Sequence, residues 1–134
     1  MLKKTIKYTD YNGQEREETF RFHLKEAELL ELEAGTTGGY TEMVKRIIAA
    51  KDTPAIMAIF KELLLKSYGE VSADGRRFIK SPELSEEFSQ TEAYSKLFVE
   101  LATDSDKAAE FVNGILPDTV QEAVAKQNAL EVVK

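Results

Sequence analysis

The sequence has no cysteine and only a single histidine in 134 residues. Without cysteine the chain cannot be a disulfide scaffold, use a thiol nucleophile or hold zinc through thiolates, and the lack suits a reducing cytosol. The lone histidine, His23, falls at the end of a strand-like stretch, where a structural or solvent-facing role is expected, and it completes no Ser-His-Asp set. An excess of positive charge is lacking too. Acidic residues number 24 against 18 basic ones, and the net charge of −6 repels phosphate backbones and anionic lipid. No nucleic-acid partner is expected. No apolar run approaches the roughly 18 residues of a membrane span, and "MLKKTIKYTDY" lacks the continuous apolar segment of a signal peptide. The protein is expected in the cytoplasm, away from membranes.

What is present is an ordinary globular balance, 43% hydrophobic and 31% charged, in a chain long enough for one core. Residues 2–9, "LKKTIKYT", and 15–22, "EREETFRF", alternate apolar and polar side chains as half-buried strands do. Asn12-Gly13 between them predicts a type I′ turn. A lone hairpin is marginal in water, so its apolar face should close over the helices that follow.

Those helices are signalled by stripes and caps. Leu24, Ala27, Leu30 and Ala34 make a first stripe ended by Gly35. Met43, Val44, Ile47 and Ile48 make a second, with Thr37 or Thr41 as cap and a stop near Asp52. Thr53 before Pro54 reads as an N-cap and first-turn proline for the most apolar helix, carrying Ile56, Ile59, Phe60, Leu63 and Leu64. Asp74-Gly75 between Val71 and Phe78-Ile79 reads as a short second hairpin. Ser81-Pro82 opens a fourth helix through about Phe88. Ser89 and Glu92 have capping-box spacing ahead of Tyr94, Leu97, Phe98 and Leu101. Asp104 or Ser105 caps a sixth helix bearing Ala108, Phe111, Val112 and Ile115, which Gly114 and Pro117 should end.

The expected fold class is therefore α+β, mainly α, with an N-terminal β-hairpin packed on a bundle of about six short helices. Residues 1–117 should form a single globular domain, hairpin 2–22 and helical body 24–116. Residues 118–134 should form a marginal C-terminal helix or tail.

No stretch carries catalytic or metal chemistry. Gly38-Gly39 lacks the Lys-Ser/Thr of a phosphate loop and reads as a hinge. Asp104 and Asp106 start like a calcium loop, but Ala108, Ala109 and Ile115 occupy positions that need a ligand, a glycine and a glutamate. The carboxylates Glu15, Glu17, Glu18, Glu83, Glu86 and Glu87 read as solvated faces, and Arg76, Arg77 and Lys80 as a local ion-pairing or protein-docking feature. No catalytic residue, metal or cofactor is expected. Such a protein works by binding.

Three stretches carry a resemblance: "MLKKTIKYTDYNGQEREETFRFHLKEAELLELE", "FKELLLKSYGEVSADGRRFIKS" and "FSQTEAYSKLFVELATDSDKAAEFVNGILP". Over residues 1–117 the chain resembles the tail assembly chaperones of long-tailed phages and prophages of Gram-positive bacteria. The resemblance implies a non-catalytic protein that binds the tape measure protein, keeps it soluble and helps tail tube subunits polymerise around it, then leaves before the virion is finished. It also implies a longer form made by ribosomal frameshifting, with this chain the shorter form, and it leaves room for a homo-oligomer. Apolar helix faces suit such a client, and Tyr94, Phe98, Phe111, Ile115 and Leu116, on a face between Tyr94 and Val124, are the expected partner-binding residues. The alternatives are another morphogenesis part, such as a head-tail connector or tail completion protein, and, more remotely, a carboxylate-based hydrolase.

Overall fold

The computed structural model describes residues 1–117, so the helix or tail expected at 118–134, Val124 included, lies outside the described residues. Two strands open the chain, β1 (Leu2–Thr9) and β2 (Glu15–Phe22), paired antiparallel from Leu2↔Phe22 to Thr9↔Glu15. Their alternation divides the hairpin into two faces. Ile6 and Phe22 are buried, and Leu2, Tyr8 and Phe20 pack partly against the core. Lys3, Thr5, Lys7, Thr9, Glu15, Glu17 and Thr19 form the exposed face.

The turn differs from the expected type I′. That turn needs positive φ at both central residues, yet Gly13 adopts it (φ 81) and Asn12 does not. The Gly13 N–H donates to the Asp10 carbonyl and the Asp10 N–H to the Gln14 carbonyl, a type I turn followed by a left-handed glycine. Asp10 explains the choice. Its carboxylate accepts the N–H groups of Asn12 and Gln14, both at 2.9 Å, and Arg16 Nε at 2.6 Å.

Six helices follow among the described residues: α1 (Glu26–Ala34), α2 (Tyr40–Ala49), α3 (Thr53–Ser67), α4 (Pro82–Ser89), α5 (Glu92–Thr103) and α6 (Ser105–Ile115). Between α3 and α4 run β3 (Tyr68–Val71) and β4 (Phe78–Ile79), the expected short hairpin. It does not stand alone. Arg21↔Gly69 and Phe22↔Tyr68 join it to β2, giving one antiparallel sheet in the order β1-β2-β3-β4. The class is α+β, mainly α, as the stripes imply.

Several helix starts shift by a residue or more from their expected caps. Asp52, not Thr53, caps α3, its side chain accepting from the Ala55 N–H. Thr91, not Ser89, caps α5, because α4 extends through Ser89. The start of α2 has no cap of its own. Glu33 on α1 reaches across and accepts the Thr41 N–H at 2.7 Å and the Thr41 hydroxyl. Gly39 makes room for it: at φ 90, an added Cβ would lie 2.6 Å from Glu33 Oε2. Ser81 and Asp104 cap α4 and α6 as expected. Gly114 does not end α6, which runs one residue further to Ile115.

The core forms where α3, α5 and α6 meet the sheet. Ile56, Ile59, Phe60, Leu63 and Leu64 are all buried, and so are Leu97, Leu101, Ala108, Phe111, Val112 and Ile115. Phe22 is at its centre, with ring centroids 5.3 Å from Phe111, 5.7 Å from Phe88 and 5.9 Å from Tyr68. Burying such a ring contributes about 1.5–3 kcal/mol. The first helix is corrected by this geometry: Leu29 is buried, whereas Leu30 is 70% exposed and Ala27 and Ala34 face solvent. Leu24, already buried before α1 begins, donates its N–H to the Ile115 carbonyl, and at the helix start the Lys25 N–H donates to the Glu28 carboxylate at 3.0 Å.

Candidate partner-binding surface

The five candidate residues separate into two groups. Phe111, Ile115 and Leu116 are 1–2% exposed and belong to the interior. Phe111 packs edge-on against Phe22 and Phe60, and Leu116 is the C-cap of α6. Tyr94 and Phe98 are half-buried, one turn apart on α5, with their rings stacked at 6.0 Å. Val99, beside Phe98, is 55% exposed.

This pair is the outer end of an aromatic series that begins on the sheet. Phe20 lies 5.3 Å from Phe88, Phe88 stacks on Tyr68 at 4.2 Å with planes 11° apart, and Phe88 meets Tyr94 edge-on at 5.5 Å. Phe88 is buried and packs against half-buried Phe20 and Tyr94, and Tyr94 in turn stacks on Phe98. A cluster of half-buried aromatic rings is chemically suited to apolar side chains of a partner. Its sequence signal was local only for Tyr94 and Phe98. Phe20, Tyr68 and Phe88 come from β2, β3 and α4 and meet only through the tertiary fold.

The charge near this cluster is negative. Burial foremost, and then the carboxylates of Glu70, Glu87 and Glu18, push the Tyr68 phenol above its ordinary value. Burial alone raises Tyr94. Tyr8 donates to Glu18, a bond that raises the Tyr8 phenol. On the far side of β3, Lys80 pairs with Glu28 at 2.7 Å and lies 5.7 Å from the Phe78 ring centroid. Of the basic trio, Lys80 is therefore an ion-pairing residue tying the β4 end to α1, and Arg76 and Arg77 sit exposed on the turn. His23 follows β2, half-buried, its ring edge-on to Phe78 at 6.2 Å and its backbone N–H donated to the Ser67 carbonyl.

Among the described residues no group of three or more His, Asp and Glu side chains could hold a metal ion. No described helix is long and apolar enough to cross a membrane. What the fold defines is a small, acidic, mainly helical α+β protein with half-buried aromatic rings at its surface and carboxylates around Tyr68. The chain belongs to the phage tail assembly chaperone family, whose sequence profile matches residues 1–134, the whole chain. No curated protein and no solved structure matches it.

Proposed function

We propose that the chain acts in tail assembly by binding the tape measure protein, keeping it soluble and helping to recruit tail tube subunits in the host cytoplasm before leaving the particle. Family membership supports the assembly role. The observation that carries the binding mode is the stacked, half-exposed Tyr94–Phe98 pair on α5, continuous with buried Phe88. Apolar helix faces of a client awaiting its tube would lie on these rings, and the surrounding carboxylates would keep the complex soluble. Phe111, Ile115 and Leu116 serve the same surface from within, by holding α6 against α5 and the sheet. A longer frameshifted form and a homo-oligomer belong to the same reading.

Co-expression with the tape measure protein of the same gene cluster tests it. Soluble client that co-elutes with this chain is expected, and Phe98→Asp should lower the co-eluting client at least about tenfold, as for a hot-spot residue. Equal recovery by a folded Phe98→Asp variant would remove α5 from the interface. Finding the chain in purified virions by mass spectrometry would favour a connector or completion protein instead.

A further inference from the structure

The sheet is paired unevenly along β2. Its inner side carries the full β1 ladder, whereas its outer side meets β3 only at Arg21 and Phe22. Beyond Gly69 the third strand turns away, pairing Glu70 and Val71 with Ile79 and Phe78. The divergence leaves a notch of about 420 Å³ whose lining includes Glu18, Thr19, Phe20, Arg21, Tyr68 and Glu70.

The parity of the ladder says which backbone groups face this notch. In an antiparallel pair, alternate residues direct both N–H and C=O toward the partner strand or away from it. The Lys7 carbonyl points away from β2, since it accepts from Lys96 Nζ at 2.7 Å, and Lys7 lies opposite Glu17. Arg21, of the same parity as Glu17, pairs outward with Gly69. Glu15, Glu17 and Thr19 therefore present their N–H and C=O groups outward. Among the described residues nothing bonds to them.

We propose that this open run of β2 accepts a short, extended segment of a partner protein by strand addition, and that the segment alternates basic and apolar residues. Residues 15–20 span about 20 Å at ~3.4 Å per residue, room for a strand of about six residues. On the exposed face such a strand would lie beside Glu15 and Glu17. On the other face its side chains would meet Phe20 and Tyr68, with Glu18 and Glu70 at the lips. Arg16 is already held by Asp10 at 2.6 Å and Arg21 lies at the end of the notch where β3 pairs, so the outer part of the edge, at Glu15, Glu17 and Glu18, carries the acidic charge. β2 shows the same preference on its inner side, where the strand it takes is "LKKTIKYT", with Lys7 opposite Glu17. Two copies meeting through this edge in the register centred on Glu17 would set that glutamate against its own copy, which disfavours that self-paired dimer. The proposal goes beyond the α5 reading and does not depend on it.

The test uses the full chain and the synthetic peptide acetyl-Lys-Val-Lys-Val-Lys-Val-amide, with a Glu-Val counterpart and a version N-methylated at alternate residues. In the free, dilute protein the amides of Glu15, Glu17 and Thr19 should exchange rapidly and those of Arg16, Glu18 and Phe20 slowly. Saturating Lys-Val peptide should slow the first set at least about tenfold and leave the second unchanged. The Glu-Val and N-methylated peptides should do neither. Glu17→Pro, which removes an outward N–H and no ladder bond, should abolish the effect. If that variant fails to fold, the parity of protection in the unaltered protein decides. Absence of Lys-Val binding, equal binding by the N-methylated peptide, or outward amides already protected in dilute free protein would each overturn the proposal. Dilution-dependent protection would mean that a second copy occupies the edge. Loss of tape measure binding in Phe98→Asp with the exchange pattern intact would bear on the α5 reading alone.

Discussion

Phe98 and Phe111 show how much a residue's meaning depends on what lies against its helix. Both occupy apolar stripes of similar spacing, yet Phe111 is 2% exposed between Phe22 and Phe60 and Phe98 is half-buried beside Tyr94. Phe111→Ala should therefore cost about 3–5 kcal/mol in urea unfolding, whereas Phe98→Asp should leave the fold intact and reduce client recovery. Lys51 offers the opposite kind of change. It is the described non-glycine residue with positive φ, at 54°, just after the C-cap of α2, where its N–H bonds to the Ile48 carbonyl. Lys51→Gly should stabilise the protein by about 1 kcal/mol, read as a raised urea midpoint at unchanged slope. A lower midpoint would mean that the lysine side chain contributes more than its backbone costs.

At the scale of elements, the turns rest on carboxylates that must be ionised. Arg16 first, with the Gln14 and Asn12 N–H groups, holds Asp10 below its ordinary value of 3.8. The Ser72 hydroxyl and the Arg76 N–H do the same for Asp74 in the second turn. For Glu28, burial opposes the charge, but Lys80 and the Lys25 N–H outweigh it and keep the carboxyl below 4.5. Burial has the larger effect on Lys80, whose ammonium falls below its ordinary value. A depressed carboxyl stabilises the fold above its unfolded value and ceases to do so as pH falls through the folded one. Stability from these groups should be level from pH 6 to 5 and decline below about pH 4, and Asp10→Asn should flatten that decline when urea midpoints are compared at pH 6 and pH 3.

The same elements show what the sequence makes legible. The caps and stripes of α3 to α6 are local, and the helices follow them within a residue or two. The stripe of α1 is ambiguous in the sequence because Leu29, Leu30 and Leu32 crowd one turn, and the structure turns Leu29 inward and leaves Leu30 exposed. The union of the two hairpins rests on two residue pairs between segments more than forty positions apart, and no local pattern encodes it. For the candidate surface, Tyr94 and Phe98 were visible as a stripe, but their separation from Phe111, Ile115 and Leu116 needed the packing of α4 and the sheet.

At the scale of the whole molecule, one buried cluster joins β1, β2, β3 and helices α2 to α6. Leu29 is buried outside that cluster, and α1 adds to it mainly through half-buried Leu32. Opening should therefore have two levels. Amides within α3 and α5 should exchange only by global unfolding, and those of α1 should exchange by a smaller, earlier opening measurable by native-state hydrogen exchange. Equal opening energies for α1 and α3 would show that Leu29 and the Lys80–Glu28 pair bind the first helix as firmly as the core does.

The Glu33 carboxylate gives that first helix an influence beyond its own length. Because the start of α2 borrows its hydrogen-bond acceptor from α1, any departure of α1 also strips the Thr41 amide of its partner, one residue from buried Tyr40. The Thr41 proton is thus a built-in reporter. Its resonance and exchange rate should change in step with the detachment of a helix to which it does not belong.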